Sequence, residues 1–297
     1  MERLKIDITL PEDEELRQKM FEAYKQCPQV IKYCNELGVP PEVVEENIVK
    51  VYDMVSDVNY CNKCPGVKKC AKANPLLCVK LTYSQKKLDR QLVPCKELLR
   101  QIMFTNQFTI RDFDEEWLES NLRSIDRTQG RNKALAIYTD FIKNKQNHWI
   151  YLTGNKHSGR SYFAASLVVD AAKRERGKIC FLNSTLRFRE LNDLGYGKKK
   201  EEFDRKLELY SNVPILVLDD FGNEYKNDFV RDAILFPILS TRASKRLLTI
   251  FTSDFTLEEI EALYSNTKPG AIRARQITRL IKSMCDEEIS LGEISVY

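Results

Sequence analysis

Apolar residues recur at three- and four-residue spacing through residues 11–38, PEDEELRQKMFEAYKQCPQVIKYCNELG, and again through 40–55, PPEVVEENIVKVYDMV. Both stretches predict helices, and the prolines opening the second suit a first helical turn, where a missing N–H costs nothing. From about Lys96 to Gln129 the pattern weakens into a polar connection, with a short helix predicted at DEEWLESNLRSI. Regularity then returns in alternation. RNKALAIYTDFIKNK reads as an amphipathic helix, HWIYLT as a buried strand, and SYFAASLVVDAAKRERG as a helix with Lys173, Arg174 and Arg176 in its last turn and Gly177 as its stop. VPILVLDD, ending at Asp220, is a second buried strand, DFVRDAILFPILSTRA a helix, RLLTIFTSD a strand, and GAIRARQITRLIKSM a basic helix. Strands alternating with helices predict an α/β domain, a parallel sheet covered by helices on both faces. The expected division is a helical unit over residues 1–98, a linker and lead-in over 99–129, and the α/β domain over 130–297.

The junction between the strand HWIYLT and its helix carries the first candidate chemistry. YLTGNKHSGRS, residues 151–161, follows the outline G-x-x-x-x-G-K-[ST] of a phosphate-binding loop, with Gly154, Gly159 and Ser161 in place and Arg160 where lysine is usual. In such a loop the backbone N–H groups of residues like Asn155, Lys156, His157 and Ser158 approach phosphate, the cation reaches its outer oxygens, and the hydroxyl holds Mg²⁺. Arginine keeps the charge but brings a wider planar head with fixed donor directions, so it does not simply replace an ammonium. The second buried strand ends in Asp219 and Asp220, a Walker B pattern. One carboxylate there can hold Mg²⁺ and its neighbour can orient or deprotonate an attacking water. Together the two motifs predict a nucleotide site for ATP or ADP with Mg²⁺.

Composition adds a second candidate centre. At 297 residues and 43% hydrophobic content the chain is long enough for two domains. The N-terminal MERLKIDITLPEDEEL is charged, without an apolar core, and no stretch approaches the roughly 18 apolar residues of a membrane span, so a cytoplasmic protein with no membrane partner is expected. A net charge of +4 neither requires nor excludes nucleic acid. Nine cysteines without a secretion signal argue against a disulfide framework. Five of them, Cys61, Cys64, Cys70, Cys78 and Cys95, fall within 35 residues. Cys61 and Cys64 form a C-x₂-C knuckle that suits two thiolates on one tetrahedral Zn²⁺, leaving three cysteines for the two remaining places. Cys27, Cys34, Cys180 and Cys285 stand apart and are expected in the core. The N-terminal unit shows no nucleophile or acid-base pair at a recognisable spacing and reads as a binding module.

The order of these features resembles the DnaI/DnaC family of bacterial replicative-helicase loaders. CNKCPGV with later cysteines and VPC is similar to that family's zinc-binding N-terminal domain, DDFGNE to its form of Walker B, and RDAILFPILSTR followed by FTSD to its next helix and sensor strand. The resemblance implies an AAA+ fold and structural zinc on Cys61, Cys64, Cys78 and Cys95, with Cys70 spare. It makes Asp219 and Asp220 the catalytic pair, Asp254 at the end of FTSD the γ-phosphate sensor, Arg242 an arginine finger, and Arg275 or Arg279 the second sensor. Three features depart from the family: Arg160, the pair His157 and Ser158 where small residues are common, and Asp254 where asparagine is usual. A carboxylate at Asp254 would oppose an anionic ligand. The implied partners are a replicative DNA helicase, single-stranded DNA and further copies of the chain through the AAA+ domain; Lys198, Lys199, Lys200, Arg187 and Arg189 are the cations that would track a strand. Two other functions share the pattern. One is a nucleotide-independent adaptor that binds helicase while its phosphate loop is structural, and the other an accessory ATPase of the transposition type, which is not expected to carry this cysteine cluster.

Overall fold

The structure, a computed structural model, describes residues 12–143, 148–197, 199–265 and 267–292. The chain divides into two compact units, residues 1–103 and 104–297.

In the first unit, helices α1 (Glu12–Lys25), α2 (Pro28–Glu36), α3 (Pro41–Glu46) and α4 (Ile48–Cys61) precede a hairpin of β1 (Leu77–Ser84) and β2 (Lys87–Pro94), followed by α5 (Lys96–Thr105). Val30, Cys34, Val44, Ile48, Val51 and Val55 from the helices pack with Leu81 and Leu88 of the hairpin to form its core. The single helix expected over 40–55 is divided at Asn47. Its backbone leaves helical geometry, and its side-chain amide donates to the Val43 carbonyl at 3.0 Å, the local competition by which asparagine interrupts helices.

The second unit opens with β3 (Phe108–Arg111) and continues through α6 (Gln129–Ile142), β4 (Trp149–Thr153), α7 (Arg160–Lys173), β5 (Ile179–Asn183), α8 (Ser184–Tyr196), α9 (Lys200–Asn212), β6 (Ile215–Asp219), α10 (Phe236–Ser244), β7 (Leu248–Ser253), α11 (Leu257–Tyr264), α12 (Lys268–Met284) and β8 (Cys285–Ser290). The six strands form one sheet in the order β3-β5-β6-β7-β4-β8, and every neighbouring pair is parallel. Side chains alternate faces with the two-residue period of a strand. Tyr151, Leu182, Leu216, Leu218 and Phe251 enter one core beneath α8, α9, α10 and α12, whereas Ile150, Leu152, Phe181, Val217 and Ile250 enter the other beneath α6 and α7. Part of the stretch expected as linker and lead-in is thus built into the second unit. Phe108, Ile110 and Arg111 pair with β5 at the sheet edge, and Phe113 and Trp117 pack on the α7 side. The predicted helix at DEEWLESNLRSI is a single 3₁₀ turn, Glu115–Glu119.

Candidate functional site

β4 and β6 are separated by β7, so the phosphate-loop motif and the two aspartates end at the same, C-terminal edge of the sheet with the Ser253–Asp254 end of β7 between them. In parallel sheets this edge is where ligands bind. A cavity of about 760 Å³ opens there, lined by Lys156 through Phe163, Asp220, Asn223 and Asp254. Its other wall comes from Trp117, Ser124, Ile125 and Asp126, within the stretch expected as linker and lead-in, and from Arg131 of α6.

The loop has the backbone its sequence predicts. Gly154 (φ +147°) and Gly159 (φ +79°) occupy left-handed conformations, and a Cβ on Gly154 would meet Ser158 Oγ at 3.0 Å. Gly159 leads directly into α7. The first amides of a helix have no carbonyl partner within it and point at whatever lies before its N-terminus, here the cavity. Two polar atoms on the wall share that condition: Ser158 Oγ, on a residue 2% exposed, and Arg131 Nε, on a residue 4% exposed, have no hydrogen-bond partner among the described residues. The remaining guanidinium nitrogens of Arg131 donate to the carbonyls of Ser158 (3.3 Å) and Asp126 (3.4 Å), which holds this cation beneath the loop.

Asp219 is buried. Its carboxylate accepts from Thr252 Oγ1 at 2.5 Å and lies beside the Ser161 hydroxyl. Burial raises its pKa; the Thr252 and Ser161 bonds pull the other way without cancelling that effect. A carboxylate and a loop hydroxyl side by side, in a place that disfavours an uncompensated negative charge, are oxygen donors of the kind that could hold Mg²⁺. Asp220 lies nearer the opening in a left-handed conformation (φ +54°), its amide bonded to Thr252 Oγ1 at 3.0 Å. That turn directs the two carboxylates differently, one inward and one to the cavity.

Arg160 is 7% exposed and lines the cavity, but its guanidinium is taken up by protein oxygens. Its guanidinium spans from α7 to the end of β7, donating to the carbonyls of Gly154 and Ser253 and to the carboxylate of Asp254. Asn223 Nδ2 donates to the other Asp254 oxygen at 3.0 Å. Burial pushes the Asp254 carboxyl up, but the bonds from Arg160 and Asn223 and the Arg160 charge outweigh it and hold the group below the usual carboxylate range. Two of the departures from the family pattern are thus partners.

Several sequence assignments change. Arg242 is fully buried; it donates to Thr249 Oγ1 and to the carbonyls of Tyr210, Val213 and Leu248, so it braces α9 and α10 on β7 and cannot act as a finger toward another subunit. Arg275 pairs with Glu261 at 3.1 Å, and neither it nor Arg279 lines the cavity. Of the cations assigned to a DNA strand, Arg187 is bound to Asp112 and Glu190, Lys199 pairs with Glu202 at 3.7 Å, Arg189 and Lys200 are exposed, and Lys198 lies outside the described residues. Trp117, Arg131 and Asn223 were missed, because the first two lie far upstream of the motif and the third looks like part of a turn.

In the first unit, Cys61 Sγ and Cys78 Sγ are 3.9 Å apart, while Cys95 Sγ and Cys70 Sγ accept from the amides of Leu98 and Leu76. Among the described residues no group of three or more Cys, His, Asp or Glu side chains gathers as a metal site, so the four-cysteine arrangement is not assembled there. Cys27, Cys34 and Cys180 are buried as expected, and Cys285 packs at the edge of the main core. Among the described residues no helix is long and apolar enough to cross a membrane.

A parallel sheet with this strand order, a phosphate loop leading into α7 and paired carboxylates on the second strand over defines a phosphate-loop nucleotide-binding domain of the AAA+ type. The family model for IstB-like ATP binding proteins matches residues 71–278, and the chain belongs to that family. It is 21% identical over 278 residues to the replicative helicase loader DnaI of Bacillus subtilis (strain 168), covering 91% of this chain and 87% of that protein. A crystal structure of DnaI superposes with a TM-score of 0.55 at 25% identity, over 65% of this chain and 98% of that one.

Proposed function

We propose that this protein is a nucleotide-binding helicase loader of the primosome, which grips a replicative DNA helicase and delivers it to single-stranded DNA in the cytoplasm. The observation that carries this reading is the span of its similarity: both units, not the nucleotide fold alone, align with a helicase loader. Nucleotide enters the cavity at the N-terminus of α7, where the loop amides, Ser158 Oγ and Arg131 are suited to phosphate oxygens. Trp117 and Tyr162, with rings 5.6 Å apart on the outer wall, suit the base. Ser161 and Asp219 would hold Mg²⁺, which supplies charge neutralisation at the phosphates, and Asp220 faces the cavity where a water would be oriented.

The first unit is the helicase-binding module, with Zn²⁺ on Cys61, Cys64, Cys78 and Cys95. The 3.9 Å sulfur separation of Cys61 and Cys78 supports it, since two thiolates on one tetrahedral zinc lie about 3.8 Å apart. Cys95 begins where β2 ends opposite the start of β1, its amide donating to the Leu76 carbonyl at 2.8 Å. Copies of the chain assemble through the AAA+ unit.

The test is co-sedimentation of the purified chain with the replicative helicase of the same organism, with and without ADP and ATP. A complex that forms and then transfers helicase onto single-stranded DNA is the expected result. A chain that binds nucleotide but no helicase would overturn the loader reading.

A further inference from the structure

A phosphate loop normally offers two things: amides for the inner phosphates, and a cation that meets the outermost one opposite the sensor residue. In this chain the first offer is intact. The N-terminus of α7 is open to the cavity, and the buried Ser158 hydroxyl, without a partner among the described residues, points to a ligand there. The second offer is altered. The cation at the usual lysine position still lines the cavity, but its terminal nitrogens are engaged by the Gly154 and Ser253 carbonyls and by Asp254. What the sensor position presents to the cavity is a carboxylate, fixed by Arg160 on one oxygen and Asn223 on the other. A terminal phosphate entering there would meet that carboxylate and Asp220, with Lys156 of the loop the cation nearest to hand that is not held in the pair. To recruit Arg160 it would have to break the Asp254 pair and leave a half-buried carboxylate without its cation.

From this we infer that the Arg160–Asp254 pair makes the cavity a nucleoside diphosphate site that selects against the γ-phosphate of a triphosphate. The inference rests on the nucleotide-binding reading above and deepens it. A diphosphate uses the loop amides and the Ser161 and Asp219 side, and it leaves the pair undisturbed. The chain would then be held in its nucleotide-bound form by ADP, so that loading responds to diphosphate rather than to a bound triphosphate.

Titration calorimetry of the full chain with Mg²⁺–ADP and with a non-hydrolysable Mg²⁺–ATP analogue tests this, with nucleotide-induced shifts in melting temperature as a second readout. The expected result is affinity for the diphosphate at least about tenfold tighter, the discrimination one closely placed like charge supplies in a partly desolvated site. Asp254→Asn removes the charge yet can still accept from Arg160, and it should bring the two affinities within about threefold by strengthening triphosphate binding. Should that variant fail to fold, Asp254→Ser and the wild-type affinity ratio carry the same test. Equal or tighter binding of the triphosphate by the wild type would overturn the inference while leaving a nucleotide site. Binding of neither nucleotide would overturn the nucleotide reading with it.

Discussion

Replacing Arg242 by alanine separates a structural brace from a finger acting on another subunit. The guanidinium makes four hydrogen bonds, to Thr249 Oγ1 at 2.9 Å and to the carbonyls of Tyr210 at 3.0 Å, Val213 at 2.7 Å and Leu248 at 2.5 Å. Truncation strands three buried carbonyls, each costing about 1–3 kcal/mol. Two effects reduce the sum. Burial lowers the proton affinity of this arginine, so removing a charge without a carboxylate partner recovers part of the loss. The polar hole is also roomy enough for water to rejoin some acceptors. A net loss of about 3 kcal/mol remains, which for a domain of this size lowers the melting temperature by roughly 6–12 °C. Arg242→Lys, whose single ammonium cannot span all four acceptors, should lose about half as much. Urea unfolding followed by far-ultraviolet circular dichroism measures both. A wild-type midpoint for Arg242→Ala, with a defect confined to assembly, would refute the brace and restore the finger.

Asp219→Asn is expected to raise stability near neutral pH by about 1 kcal/mol, because burial disfavours the charge it removes, while Mg²⁺-dependent nucleotide binding falls more than about tenfold; thermal melts with and without Mg²⁺–ADP check both arms. The pH response of Asp254 has the opposite sign. Its folded pKa lies below the unfolded value of about 3.9, so the stabilisation it gives is complete above that value and is lost as pH falls through the lower, folded pKa. Wild-type and Asp254→Asn unfolding midpoints should therefore converge only under acidic conditions below about pH 4, and convergence already at pH 6 would contradict the ion pair. Gly130 in α6 meets β8 so closely that an added Cβ would fall 2.1 Å from the Ser290 carbonyl oxygen, so Gly130→Ala must displace the strand and should cost about 2 kcal/mol; an unchanged melting curve would show that β8 is not held there. Zinc is expected at one per chain, retained in Cys70→Ser and lost in Cys78→Ser or Cys95→Ser, by elemental analysis of purified protein; the reverse pattern would exchange Cys70 into the site.

Elements with an unambiguous period were legible in the sequence. HWIYLT, VPILVLDD and RLLTIFTSD are continuous apolar runs ending in motif residues, and all three are central strands. β5, ICFLN, escaped notice although four of its five residues are buried, because so short an apolar run is ambiguous between strand and helix; the other elements missed have one-sided burial. β3 is partly exposed because it forms the sheet edge, and its sequence FTIR is too short to show a period. β8, CDEEIS, is the other edge and carries three carboxylates, so only Ile289 betrays it as buried. The β1–β2 hairpin alternates as a strand should, but its cysteines drew attention to metal and away from the pattern. Arg242 was misassigned for a related reason. A charged side chain on a helix reads as surface, and only the fold reveals that four oxygens converge on it.

The largest gap concerns meaning rather than position. Arg160 and Asp254 were each identified as departures from a pattern, and each taken alone argues for a damaged site: a cation with the wrong shape, a carboxylate with the wrong charge. In the structure they are a matched substitution, since one nitrogen of the guanidinium fork reaches the Asp254 carboxylate while the other holds the Gly154 and Ser253 carbonyls, a span a single ammonium does not cover. Reverting one of them should therefore do more harm than reverting both. Arg160→Lys alone leaves Asp254 under-neutralised, and Asp254→Asn alone leaves a buried guanidinium without its anion. The double variant puts a flexible ammonium, able to turn toward solvent in the cavity, beside a neutral asparagine, so no buried charge is left unpaired. A coupling energy of about 1–3 kcal/mol between the two positions in unfolding experiments is the expected outcome. Additive losses would mean that the two departures are independent, and that the site is worn rather than rebuilt.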